Sequence, residues 1–367
     1  MMKMEMSKTL KKIIVILTFQ LFNFSTGLAL EQAGQDIAVL KAGVGARPLG
    51  MGGAFTAIAD NADAAYWNPG GLGLIDKNEI TTMQTRLSTD ADHYYISYVR
   101  PALGGTLGIS WIQVGLGNIT QTSAEVDINN EVQNLSVFSY FSNAYMLSYG
   151  REVNDYVSLG LTAKYLTSDM FQISGGQAHG YSVTPGILIS FGKKDKDDKR
   201  QFVDQSEMLR ARTVQSKGFV YPENERSRAQ EPTLKHKMSQ LSAKSELLSR
   251  LTMGIKIDEL LNRQSWGTGT VEQVPAKLRV GFAYRSPNPG LFALDFSQTL
   301  RTGYAAEAAV GYEWAREGLA LRCGYNNGWF SAGAGFQSGQ TKIDYAYVTQ
   351  HDLSRENVHR VSLTGVW

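Results

Sequence analysis

Charge recurs in this chain at every second residue of several apolar runs. Lys277, Arg279 and Arg285 alternate with Leu278, Val280, Phe282 and Tyr284, Asp295 lies between Leu294 and Phe296, and Asp344 between Ile343 and Tyr345. Lys164, Glu307, Glu313, Arg322, Lys342 and Arg360 hold the same kind of position. Successive side chains of an extended run point to opposite faces. These charges therefore share one face and the apolar residues the other. The chemistry open to them is electrostatic: mutual ion pairing, or a polar path or gate. Pairing matters because a buried charge without a partner loses water and gains nothing in return.

Nothing in the sequence supports an enzyme, a cofactor, a metal or nucleic acid. The histidines at 93, 179, 236, 351 and 359 are scattered and lack metal-ligand spacing. The single cysteine, Cys323, falls on the apolar face with Leu319, Leu321 and Tyr325, which suits a lipid-facing residue and not a nucleophile. Gly43-Val-Gly45 and Gly50-Met-Gly-Gly53 lack the Gly-Lys-Ser/Thr of a phosphate loop. A net charge of +2 gives no argument for nucleic acid.

The elements that must position these charges are strands. Period-two alternation marks fourteen runs: 79–87, 92–100, 104–115, 137–150, 155–169, 180–191, 250–258, 276–286, 290–299, 303–314, 317–325, 329–336, 340–349 and 358–367. Their apolar faces often end in Tyr or Trp (Tyr284, Trp314, Tyr325, Tyr347, Trp367), as aromatic girdles do at membrane interfaces. With the last strand running inward to the periplasm, the even-to-odd connections are short and include Pro101–Gly104, Val153–Asp155, Ser286–Pro289, Ala315–Glu317 and Gln337–Gly339. The odd-to-even connections are outside and include 116–136, 170–179, 259–275 and 350–357. The fold expected is all-β: a 14-stranded antiparallel transmembrane β-barrel, with residues 77–192 as strands 1–6 and 250–367 as strands 7–14.

The chain begins with a secretory signal peptide over 1–29: a basic stretch at Lys8, Lys11 and Lys12, an apolar core from Ile13 to Phe22, and the small residues Gly27 and Ala29 for cleavage. That apolar core falls short of the ~20 residues needed to span a bilayer. Export together with strands points to the outer membrane of a Gram-negative-type bacterium, because only helices and closed barrels satisfy their backbone in lipid. Glycine supplies 37 of 367 residues, above the ordinary ~7%, and suits a barrel with close internal packing.

Residues 30–76 read differently. Gly43 to Asp60 is dense in Gly and Ala, and Asn68-Pro-Gly-Gly71 is a turn signal. Glycine is poor in strand interiors, so this segment is expected as a hatch, or plug, inside the lumen. Gly52 and Gly53 would let its backbone pass close to the wall, and Arg47, Asp60 and Asp63 could pair with lumen charges.

The sixth connection breaks the rule of short periplasmic turns. Residues 193–250 hold 14 Lys/Arg against 9 Asp/Glu. The first half of 193–249 has too little apolar content to fold on itself. Its second half places Leu234, Met238, Leu241 and Leu248 near one helical face. The segment is expected as a charged, partly disordered periplasmic insertion, with docking of a periplasmic partner as its sharper use.

At Gly43–Asp60 and Asn68–Leu72 the chain resembles the PorV/PorQ family, a branch of the outer-membrane barrel superfamily typified by the fatty-acid transporter FadL. Arg47, Met51, Gly52, Gly53, Ala54, Asp60, Asn68, Pro69, Gly71 and Leu72 stand at the matching positions. Ile343–Tyr347, His359–Leu363 and the terminal aromatic are similar too, with less specificity. The resemblance implies the fourteen-stranded barrel with its internal hatch, and one of two jobs. PorV-like members act as interaction scaffolds in protein export of the type IX secretion kind, with secretion-system partners. FadL-like members pass hydrophobic compounds such as long-chain fatty acids through the barrel and out sideways. The charged lumen leans toward the first job.

Overall fold

The computed structural model describes residues 38–87, 91–126, 130–192, 247–301, 303–349 and 357–367. The signal peptide 1–29, the first residues of the hatch segment and nearly all of the charged insertion lie outside the described residues.

The strands are β1 (Glu79–Arg86), β2 (Ala91–Ala102), β3 (Gly105–Val126), β4 (Val132–Asn154), β5 (Val157–Phe171), β6 (Gln177–Ser190), β7 (Leu251–Asp258), β8 (Leu260–Trp266), β9 (Val271–Glu272), β10 (Lys277–Arg285), β11 (Gly290–Thr299), β12 (Glu307–Arg316), β13 (Leu319–Asn326), β14 (Trp329–Ser338), β15 (Thr341–Val348) and β16 (Val358–Val366). Each pairs antiparallel with its neighbours. The ring closes because β1 pairs with β16 and β5 with β6, and fourteen strands complete a closed antiparallel barrel. β8 prolongs β7 along the outer part of β6, and β9 folds back on β8.

Alternation explains why the ring closes with one face out. Leu161, Tyr165, Phe292, Leu321, Phe336, Ile343 and Leu363 are exposed on the outside, and Cys323 is exposed among them. An apolar exterior of this kind suits lipid contact. The short hairpins have the left-handed backbone that two-residue turns require: φ is 56° and 72° at Leu103–Gly104, and 52° and 84° at Glu317–Gly318.

Two expected outer loops are largely strand. Residues 116–136 carry the ends of β3 and β4, which pair with each other out to Val126↔Val132, past the last partner that β5 offers at Phe171. Along this ribbon residues 132–137 are all exposed. With no buried face the sequence carries no alternation to read. Residues 259–275 contain β8 and β9. There the buried face is polar, Asn262 and Gln264, so the apolar signal fails although the ladder to β6 forms.

Residues 38–75 lie within the ring. They form α1 (Ala38–Lys41), α2 (Ala46–Gly50), α3 (Ala64–Trp67) and a 3-10 turn, Pro69–Leu74. An irregular backbone in a closed interior must find partners for its amides and carbonyls. The wall provides them from all around. Ser362 Oγ accepts from Ala46 N at 2.8 Å, Ser331 Oγ from Gly52 N at 2.9 Å, and Asp295 Oδ2 from Phe55 N and Thr56 N at 3.1 and 2.9 Å. Ser97, Thr106, Ser158 and Thr162 hydroxyls donate to the carbonyls of Ala62, Ile75, Gly70 and Ala65. These eight side chains sit on β16, β14, β11, β2, β3 and β5.

Candidate functional site: the lumen

The hatch-motif residues sit at the centre of this packing. Arg47, Met51, Gly52, Gly53, Ala54, Asn68, Pro69, Gly71 and Leu72 are buried, and Asp60 is partly so. Asn68 ties three strands of chain together. Its Oδ1 accepts from Gly70 N at 3.0 Å, and its Nδ2 donates to Thr56 O at 2.7 Å and to Ile187 O at 3.1 Å. Pro69 follows at the first helical position, where its missing N–H costs nothing. Gly52 has φ 68°, and a Cβ there would stand 2.8 Å from Tyr325 N of the wall. Gly53 also has positive φ, but it faces the Trp67 ring of the inner segment and not the wall. A Cβ on Gly71 would collide with the Ala59 carbonyl.

The lumen charges are brought into three groups. Arg47 donates through Nε and Nη2 to the two oxygens of Glu313 at 2.8 and 2.9 Å, and its Nη1 bonds Asp60. Glu313 also accepts from Arg322 Nε at 2.6 Å. Arg322 pairs with Asp344 at 2.7 Å, and Lys342 reaches the same carboxylate at 3.2 Å. Asp258 joins Lys256 and Arg279, each at 2.8 Å, and Glu307 pairs with Lys277 at 2.6 Å. Lys164 pairs with Glu259. Asp295 instead holds the backbone of residues 55–56. Arg285 comes within 3.9 Å of Asp60. Asp63 accepts from Asn61 Nδ2, and burial lifts its carboxyl to about 6.

Sequence reasoning missed Lys256, Asp258 and Glu259. The signal for the first two was present: Met253, Ile255 and Ile257 alternate with Gly254, Lys256 and Asp258. Glu259 has φ 57° and breaks the run between β7 and β8, so alternation could not place it.

The inward charges are not spread around the ring. Most stand on β7 and β10–β16. Across β1–β5 one inward row is apolar. The register runs Met83↔Tyr95, Tyr95↔Ile112, Ile112↔Ala144 and Ala144↔Leu166, and all five are at most 3% exposed. The inner segment covers this row with its own apolar side chains, and α1 packs on β3 and β4. The expectation that the charged lumen weighs against an apolar route is therefore corrected: charge occupies one wall and leaves the other apolar. A cavity of about 540 Å³ lies where β8 parts from β10, lined by Leu261, Val274, Pro275, Leu300 and the polar Glu259 and Asn262.

No family model matches the sequence, and no curated protein matches it. Among solved structures the barrel is similar to the P. putida toluene transporter TodX, with 11% identity, a TM-score of 0.53, and coverage of 89% of this chain and 97% of that one. It is similar to the monoaromatic hydrocarbon channel CymD as well, at 11% identity and a TM-score of 0.53 over 90% of this chain and 99% of that one. At this identity the likeness is one of fold. It is to transport channels and not to enzymes, and it gives no support to the PorV/PorQ branch.

Proposed function

We propose that this chain is an outer-membrane channel for hydrophobic compounds, of FadL type, with residues 30–76 as its hatch. This is the second of the two jobs the sequence resemblance implied, and the export-scaffold reading is set below it. The observation that carries the reading is the apolar row Met83–Tyr95–Ile112–Ala144–Leu166, which faces inward in a closed barrel. A barrel serving only as a scaffold has no use for an apolar inner wall beyond packing its plug. The fold shared with barrels named as toluene and hydrocarbon channels supports the same reading. The lipid-facing exterior supports the membrane location.

In mechanism, the charged wall is spent on itself and on the hatch. Glu313 and Arg322 hold Arg47, and Asp295 holds the backbone at Phe55 and Thr56. The apolar wall meets the hatch through weaker, non-directional contacts that can be exchanged for those of a hydrophobic ligand. A compound would thus enter along β1–β5 while the hatch stays anchored on β11–β16. The test is uptake of radiolabelled toluene and 1-decanol by Gram-negative cells with and without the expressed barrel. Uptake raised by the barrel and lowered by Ile112→Thr supports the channel. Uptake unchanged by the barrel overturns it.

A further inference from the structure

Arg360 is fully buried on β16 and is among the largest side chains sealed from solvent. Its Nη1 donates to Ala42 O at 2.9 Å and lies 3.4 Å from Gly43 O. Its Nε and Nη2 have no hydrogen-bond partner among the described residues. The other buried lumen cations, Arg47, Lys164, Lys256 and Arg322, are each paired with a carboxylate. Arg360 has none within ion-pair distance among the described residues.

The two unpartnered groups are one edge of the guanidinium. The Nε–H and Nη2–H bonds run side by side and match the two oxygens of a carboxylate. Arg47 shows the same edge filled, with Nε and Nη2 on the two oxygens of Glu313. Leaving such an edge buried and unbonded is costly.

Position adds the second half of the argument. Arg360 stands at the seam where the ring closes. Its neighbour His359 accepts from Thr85 of β1 through its carbonyl, and Ser362, the next inward residue, pairs with Met83. Met83 begins the apolar row. An anion seated on Arg360 therefore has the charged wall on one side and Met83, Tyr95 and Ile112 on the other. That is the layout for a molecule with one carboxylate and an apolar body.

We propose that the Nε/Nη2 edge of Arg360 binds the carboxylate of the transported compound, so that the cargo is an apolar monocarboxylate and not a neutral hydrocarbon. The inference rests on the channel reading above and narrows its substrate class. The Ala42 and Gly43 carbonyls hold the opposite side of the guanidinium, so the hatch keeps Arg360 oriented while the ligand is bound.

The test is equilibrium dialysis of radiolabelled decanoate and 1-decanol, at pH 8, against the full chain in phosphatidylethanolamine/phosphatidylglycerol nanodiscs. Empty nanodiscs provide the partitioning background. The wild-type protein is expected to show saturable decanoate binding at least tenfold tighter than 1-decanol. Arg360→Gln is expected to remove that preference and leave 1-decanol binding unchanged, and Arg360→Lys to restore part of it as a point charge without the fork. An equal loss of both ligands in Arg360→Gln marks a structural role and overturns the inference. Should the variants fail to insert, the wild-type ratio alone decides. Saturable 1-decanol binding without preference for decanoate overturns the inference and leaves the channel reading standing. No saturable binding of either ligand overturns both.

Discussion

The two walls of the lumen are built by opposite means. On β10–β16, Glu313 is shared by Arg47 and Arg322 and continues through Asp344 to Lys342, a chain of directional bonds that fixes the inner segment in one register. On β1–β5 the inward row from Met83 to Leu166 is apolar, with serine and threonine hydroxyls at the levels beside it. Directional, charge-assisted bonds are strong when complete and costly when one member is lost. Apolar contacts exchange one apolar partner for another at little cost. One wall thus anchors and the other can yield.

Breaking the anchoring wall should have the largest effect. Glu313→Leu leaves Arg47 and Arg322 buried without their shared carboxylate, and a buried pair broken in this way typically costs about 3–5 kcal/mol. The expected outcome is a marked fall in the temperature at which the barrel loses its compact mobility on gels, far more than Glu307→Leu causes at the more exposed Lys277 pair. Equal shifts for the two variants would show that the central network does not anchor the hatch.

The second effect belongs to the yielding wall. Ile112→Thr adds a hydroxyl in the middle of the apolar row, where burying a polar group costs roughly 1–3 kcal/mol on protein scales. Uptake of 1-decanol should fall by about tenfold while the unfolding temperature moves little. The same substitution at outward-facing Ile109 serves as the control and should leave uptake unchanged.

Sealing of the lumen gives the third comparison. Gly52→Val puts a side chain against the backbone of Tyr325 and demands a left-handed φ that valine avoids. The hatch should loosen on its anchored side, and conductance in planar bilayers should rise severalfold. Unchanged conductance would mean that residues 30–76 are not the barrier.

How much of this was legible in the sequence follows from the same contrast. The strands of the charged wall alternate cleanly, because charge points in and apolar residues point out to lipid. Both the barrel and its inward charges could therefore be read there. Along β2 and β3 the outward Ile96 and Ile109 alternate with inward Tyr95 and Ile112 on levels where both faces are apolar, so period two does not tell inside from outside. The partition of the lumen was invisible for that reason. Pair identities were hidden too: Arg47 and Glu313 are 266 residues apart, and only ring closure brings them together. The hatch motif was legible as irregular and tightly packed, yet the bonds from Ser97, Thr162 and Ser362 that hold it come from residues with no motif of their own.

The smallest effect is one of pH. Burial raises the Asp63 carboxyl to about 6, above its ordinary value of 3.8. A raised folded-state pKa means that the folded protein binds the extra proton between those values. Stability is then greatest at low pH and is lost as pH rises through about 6. Asp63→Asn mimics the protonated form and should flatten part of the fall in unfolding temperature between pH 5 and pH 7.5. A slope unchanged by Asp63→Asn would contradict the assignment.

The most direct measurement of the two-wall account is photolabelling of the reconstituted full chain with a diazirine-bearing hydrophobic probe, followed by peptide mapping of adducts that excess 1-decanol displaces. The account predicts displaceable adducts on inward residues of β1–β5, with Met83, Tyr95 and Ile112 foremost, and few on β10–β16. Displaceable adducts confined to β10–β16, or none within the lumen, would contradict it.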